Sequence, residues 1–362
     1  MKNRFYWFAA VGLLVCSGCA FVVRLPAFSV PRSSDPNLFR GVFHVHSEFS
    51  HDSKASLHRI IRTAQKAGLD FVVVTDHNTM KGREAYRKMN PPKLPLLIFA
   101  SEISTDAGHV IALGVKEEPP NLWDAHETTD WIRKKHGYPI VAHPLSVRKP
   151  WARWDVEKIE GIEIFSFPDV YYTEDIKELT VKAAFFPPKQ FLNSVIETPR
   201  SALRLWDGEL RSKRLSAFAS PDAHLRWEWA GFALENYLLY FQAVTMYVRA
   251  EHLNEDSVID SLARGQSFIA HESRGVAQSF SFLAQREGKS YGPGSTVSSQ
   301  AAIVFTVAVP LDADIRLMRD GAVIKQTRGV ALNYSSPEKG VWRVEVYRKN
   351  QLWIASNPIY VE

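Results

Sequence analysis

A chain of 362 residues with 46% apolar residues and no low-complexity tract is long enough for one large domain plus a smaller one. Its net charge of +5 is a small excess of 44 Lys and Arg over 39 Asp and Glu, and the densest basic clusters, Arg133–Lys135 and Arg211–Arg214, are too short for a nucleic-acid tract. No stable nucleic-acid partner is expected. The only cysteines, Cys16 and Cys19, lie near the N-terminus, which leaves the body without a disulfide framework or thiol chemistry.

In chain order, Lys2 and Arg4 precede a nearly unbroken apolar stretch from Phe5 to Val23, the pattern of an export signal or a single membrane span. Cys19 follows Cys16-Ser17-Gly18, similar to a bacterial lipobox, so two tethers are open: a lipidated Cys19 or an uncleaved anchor with its basic flank in the cytoplasm. Either predicts an exported, membrane-tethered protein on the periplasmic or extracytoplasmic face. Residues 24–37, with Pro26, Pro31, Pro36, Ser33 and Ser34, read as a linker.

From Leu38 onward, apolar runs alternate with helical patterns. Val42–His46, Phe71–Thr75, Leu96–Ala100, Pro139–Ala142, Gly161–Phe165 and Leu215–Ala219 read as buried parallel strands. Between the first two, Leu57, Ile60, Ile61 and Ala64 recur at helical spacing, with Ser56 as cap and Gly68 as terminator. Repetition of such βαβ units predicts an α/β barrel or layered sheet over residues 38–276. From about residue 277 the pattern changes to short strands: Ala302–Val309, Ile315–Met318, Val341–Tyr347 and Trp353–Ile354, with Asp320-Gly321 as a hairpin turn. A small antiparallel β-sandwich over 277–362 is expected.

The chemistry sits where strands end. His44 and His46 are two apart on one strand and share a face. Asp76-His77 follow an apolar run directly, and Glu102, His143, and Asp222 with His224 each follow one at a strand's C-terminal end. In α/β barrels that rim gathers functional side chains, and imidazole with carboxylate suits zinc, manganese or iron. Asp76 either orients a ligand imidazole or caps a turn. Arg148 and Lys149, just past His143, are placed to meet an anionic substrate or to lie on a solvated loop. His58, His126, His136, His252 and His271 fall outside these positions and read as surface or structural histidines. In Pro168–Arg214 the aromatics Tyr171, Tyr172, Phe185, Phe186 and Trp206 read as core packing or as a pocket lining.

His44-Val45-His46, Asp52, Thr75-Asp76-His77-Asn78, Glu102 in Ser101–Ser104, Gly108-His109, Ala142-His143-Pro144 and Pro221–His224 resemble, in order, the motifs of the polymerase-and-histidinol-phosphatase (PHP) superfamily over roughly Leu38–Ser273. The tail, with Arg316–Ile324, Gly340–Tyr347 and Ser356–Val361, resembles the extra domain of its carbaryl-hydrolase-like branch. The resemblance implies a distorted (β/α)7 barrel and two or three divalent ions (Mn, Zn or Fe). By the same resemblance, His44, His46, Glu102 and Asp222 hold a first ion. Glu102 bridges to a second held by His143 and His109, and Asp52, His77 and His224 hold a third. Asp52 stands where some relatives have histidine, six residues after His46; the adjacent His51 is the alternative.

Such a cluster predicts hydrolysis by a metal-bridging hydroxide without a protein base. A small, anionic phosphoester or nucleotide is the first expectation. A carbamate, ester or amide substrate on the same centre is the second, and a surface-tethered binding protein with structural metals the third. Neither a GxSxG elbow nor a GxxxxGK[ST] loop is present to support a nucleophile or phosphate loop of another kind.

Overall fold

The structure, a computed structural model, describes residues 30–168, 176–226, 228–229, 232–233 and 236–362. The apolar stretch with Cys16 and Cys19, and Tyr171 and Tyr172, lie outside the described residues. Among those that are described, no helix is long and apolar enough to cross a membrane.

The fold is mixed α/β, organised by one large sheet. Seven strands lie side by side in chain order: β1 (Leu38–Val45), β2 (Phe71–His77), β3 (Leu96–Thr105), β4 (Gly108–Leu113), β5 (Tyr138–Val141), β6 (Gly161–Ser166) and β7 (Ser216–Ser220). Pairing is parallel except around β4, which runs antiparallel to both β3 and β5. The end of β7 returns to β1 through a parallel bridge between Val45 and Ala223, where the His46 N–H donates to the Ala223 carbonyl at 3.0 Å. Strand ends that are distant in sequence therefore share one rim.

Local signals explain the elements. The Ser56 hydroxyl accepts from the Arg59 N–H, and Gly68 closes helix Leu57–Ala67 at φ 69°, where its N–H reaches the Ala64 and Gln65 carbonyls. That helix buries Leu57, Ile60, Ile61, Ala64 and Ala67, the face expected from the spacing. β2 is apolar on both faces because both are covered, and Val72, Val73 and Val74 are fully buried. At Gly41 a Cβ would stand 2.5 Å from the Phe71 ring, so only glycine lets β1 pair closely with β2 there.

The C-terminal region has its own apolar core, with Phe282, Phe305, Val344, Trp342 and Trp353 buried. Strands Ile303–Arg319 and Ala322–Ser336 form a long hairpin whose turn, Asp320 at φ 50° and Gly321 at φ 81°, has the left-handed pair expected of Asp-Gly. This region is continuous with the rest of the sheet. Strand Ser267–Ala270 pairs with Gln351–Ser356, and the Asn357 side chain accepts from the Ala217 N–H at 2.7 Å and donates to its carbonyl at 3.1 Å. Asn357 thus extends β7, the strand that leads to Asp222 and His224.

Buried Arg343 makes the second tie. Its guanidinium donates twice to Asp207, at 2.7 Å each, and once to Glu345 at 2.7 Å, and it lies over the Trp206 ring. Trp206 is buried in the core, whereas Phe185 is exposed and Phe186 largely so. Residues 30–37 of the expected linker are described, and most of them are exposed. Val30 is buried, Arg32 pairs with Asp70, and Asp35 accepts from Arg249 at 2.7 Å, contacts that touch the body at three points.

Candidate metal centre

The rim assembles all nine expected ligands. His44 Nε2 lies 3.0 Å from Glu102 Oε2, 3.1 Å from His46 Nε2 and 3.3 Å from Asp222 Oδ1. His46 Nε2 lies 3.2 Å from Glu102 Oε2 and 3.3 Å from Asp222 Oδ1. His44, His46 and Glu102 thus bring one donor atom each close enough together to hold a metal ion, and Asp222 Oδ1 borders the two imidazoles.

Glu102 turns its other oxygen to a second group. Oε1 lies 2.7 Å from His109 Nδ1 and 3.0 Å from His143 Nε2, and those two nitrogens are 3.4 Å apart. On the other side, Asp52 Oδ2 lies 3.0 Å from His224 Nε2 and 3.4 Å from His77 Nε2. His51 only approaches the His77 ring, so the geometry favours Asp52 over its neighbour.

Donor chemistry agrees with the spacing. His44 Nδ1–H donates to Glu163 Oε1 at 2.8 Å. His46 Nδ1–H donates to the Ser50 hydroxyl at 3.2 Å, which itself donates to Asp52 Oδ1 at 2.8 Å. His224 Nδ1–H donates to the Asp222 carbonyl at 3.0 Å. Each contact puts the ring proton on Nδ1 and leaves the Nε2 lone pair facing the centre. Asp222 Oδ1 and His224 Nε2 are buried and close to neighbours, yet have no aligned hydrogen bond. Buried polar atoms left without a hydrogen bond are what ligation of a cation would account for.

Backbone strain is concentrated here as well. His44, His143 and Asp222 all have positive φ, at 69°, 28° and 40°, in a region that non-glycine residues rarely occupy. Burial would raise Glu102, but the facing His77, His44 and His109 outweigh it and hold its carboxyl well below the usual range. Burial would lower His77 and His143, yet Glu102 and nearby carboxylates lift both to about 9. His46 drops to about 4 through burial and the neighbouring His224. The cluster without a metal thus holds protons as its countercharge, which a cation would displace.

Two residues left with alternative readings can be placed. Asp76 does not orient an imidazole: its carboxylate accepts from the Ser47 N–H and the Ser47 hydroxyl, both at 2.6 Å, so it shapes the turn after His46. Burial lifts it to about 6 against those two bonds. Arg148 is exposed on the loop after His143, and its N–H donates to Ser146 Oγ. Among the remaining histidines, His271 is buried and Nδ1 contacts the Ala243 carbonyl at 3.1 Å, as a structural histidine does.

Glu163 is the residue that sequence reasoning missed. It is buried on β6, fixes His44 through Oε1 and accepts the His143 N–H through Oε2 at 2.8 Å. A lone carboxylate inside the run Gly161-Ile162-Glu163-Ile164-Phe165 is the signal that marks it, because an unpaired buried charge is costly. His109 shows how topology places a candidate ligand. It begins β4, but β4 is antiparallel, so its first residues lie on the rim where the parallel strands end, with His109 opposite Ser104.

Residues 43–139 match the PHP domain. The chain is 28% identical over 160 residues to an uncharacterised protein of Methanocaldococcus jannaschii, an alignment covering 39% of this chain and 93% of that protein. Among solved structures, it resembles a two-domain Bacteroides vulgatus protein containing a predicted PHP-like metal-dependent phosphoesterase, at 13% identity and a TM-score of 0.44. That alignment covers 92% of this chain and 99% of that one. A Bifidobacterium adolescentis protein described as a candidate metal-dependent phosphoesterase aligns at 14% identity and a TM-score of 0.31, over 57% of this chain and 93% of that one.

Proposed function

We propose that this chain, with a PHP domain whose rim gathers nine candidate ligands, is a metal-dependent phosphoesterase acting on small anionic molecules. The seven strands are read as the distorted (β/α)7 barrel of that superfamily. The observation that carries the proposal is Glu102, whose Oε1 faces His109 and His143 at 2.7 and 3.0 Å while Oε2 faces His44 and His46 at 3.0 and 3.2 Å, with His77 Nδ1 at 3.3 Å. One carboxylate shared in this way supports a site for paired ions, the arrangement suited to in-line displacement at phosphorus.

His44, His46, Glu102 and Asp222 would hold one ion, Glu102, His109 and His143 a second, and Asp52, His77 and His224 a third. When bound, divalent ions supply Lewis acidity towards a phosphoryl oxygen and lower the pKa of water. The chain's own residues hold the geometry. Glu163 sets the tautomer of His44 and, through the His143 N–H, the position of a ligand from the second group. Ser50 links His46 to Asp52, coupling the first and third groups, and burial of His44, His46 and Glu102 shields the first group from bulk water. Membrane tethering through the N-terminal segment remains part of the proposal, with export as its consequence.

The test is hydrolysis of p-nitrophenyl phosphate, bis-p-nitrophenyl phosphate and a naphthyl carbamate by the metal-reconstituted protein, before and after chelation. Phosphate-ester turnover that disappears with chelator and returns with manganese, zinc or iron is expected. Turnover of the carbamate alone would overturn the phosphoester assignment.

A further inference from the structure

A cavity of about 730 Å3 opens beside the metal centre, with His143 and Glu163 in its wall. Arg200, Ser201 and Arg204, from the first turns of helix Arg200–Glu209, also line it. No side chain caps this helix's first turn and no acidic residue occupies it, so the positive end of the helix dipole lies at the cavity wall. Arg200 and Arg204 are both exposed, and neither is paired with a carboxylate among the described residues; Arg204 donates only to Ser201 Oγ, at 3.2 Å. Two cations without acidic partners thus border a space that begins at the proposed metal ligands.

A buried group points to a ligand as well. Ser166, at the end of β6, lines the cavity and is only 6% exposed, yet its hydroxyl has no hydrogen-bond partner. The carboxylates of this wall do not cancel its charge: Glu163 is committed to His44 and the His143 N–H, which leaves exposed Glu197 against two guanidiniums. The arginines are also held in place. Thr198, two residues before Arg200, donates from its N–H and hydroxyl to Gln351 Oε1, and its hydroxyl accepts from the Leu352 N–H at 2.9 Å. The C-terminal domain therefore fixes the segment that presents Arg200.

We infer that this cavity is the subsite for a second anionic group, so that the preferred substrates are small molecules carrying a phosphoester and, at a distance, another phosphate or a carboxylate. The inference rests on the phosphoester reading of the metal centre and names the substrate class that reading leaves open. The volume falls in the range of about 300–1,000 Å3 typical of small-molecule sites, and a guanidinium pair recognises either oxyanion by paired N–H donors.

The experiment compares α,ω-alkanediol bisphosphates of three to eight carbons with the matching alkyl monophosphates, using the full, metal-reconstituted chain. A parallel series of ω-phosphooxy carboxylates distinguishes phosphate from carboxylate as the distal group. At one or two chain lengths kcat/KM for the doubly anionic compound should exceed that of the monophosphate at least about tenfold. In the Arg200→Ala/Arg204→Ala double variant that preference should fall to within about twofold of unity, mainly through KM, while Arg200→Lys/Arg204→Lys keeps part of it. A preference that is absent in the wild type, or unchanged in the double variant, overturns the inference. If the wild type turns over no phosphate ester, the reading beneath it fails. Calorimetric titration with propane-1,3-bisphosphonate then decides the subsite: weaker binding to the double variant supports it, and equal binding removes it.

Discussion

The two flanks of the rim differ in how they hold their donors. The cluster of His44, His46, Glu102 and Asp222 is closed, since the Glu102 side chain is 1% exposed, five separations fall within 3.0–3.3 Å, and Glu163 locks His44 from behind. The cluster of Asp52, His77 and His224 is open, since the Asp52 side chain is 23% exposed and its contacts spread to 3.4 Å. Burial and a fixed orienting partner strengthen each ligand, so the closed cluster should bind first and release last.

The largest effect that would break this comparison is at its closed end. His44→Ala or Asp222→Asn should reduce phosphate-ester turnover to below about one thousandth, because metal catalysis supplies several kcal/mol, and should cost one bound ion while circular dichroism is unchanged. Retained turnover in either variant would remove the closed cluster from the mechanism. Next, Arg343→Ala strands Asp207 and Glu345, and truncation of one partner of a buried charge cluster costs about 3–5 kcal/mol. Chemical denaturation should show that loss as a lower midpoint.

A smaller effect tests the orienting partner. Glu163→Gln should weaken metal retention about 10–100-fold, the usual penalty for removing a residue that orients a metal-binding histidine, read by competition with a chromogenic chelator. Asp52→Asn should lower the occupancy of one ion while the other sites stay loaded, visible as a reduced metal-to-protein ratio after graded dialysis. Equal loss from every site would contradict the open-versus-closed distinction.

The smallest effect is in protons. His77 and His143, held at about 9 in the metal-free protein, carry protons at pH 7 that ligation must remove, so metal binding should release protons and tighten as pH rises towards 9. Titrations in buffers of different ionisation enthalpy measure that release directly.

The same contrast explains what could be read in the sequence. Candidate ligands at the ends of parallel strands were legible because an apolar run followed closely by His, Asp or Glu marks the rim; Phe71–Thr75 before Asp76-His77 is the plainest instance. His109 was harder, since its strand had to be known to reverse direction before its first residues could be placed with the others' last. Glu163 was hidden because its role depends on β6 lying where His44 and His143 converge, a juxtaposition that no local spacing encodes. Arg200 and Arg204 were illegible for a related reason: their place beside the centre depends on long-range contacts, of Thr198 with Gln351 and Leu352 and of Asp207 with Arg343. In the C-terminal region, the Asp320-Gly321 turn and the alternating strands were legible, whereas the reach of Asn357 into β7 was not.

The most direct measurement of the central claim is elemental analysis of the purified, reconstituted protein by inductively coupled plasma mass spectrometry. Two or three divalent ions per chain, falling by one in His44→Ala, is the predicted result. Fewer than one ion per chain after reconstitution with manganese, zinc and iron would contradict the account.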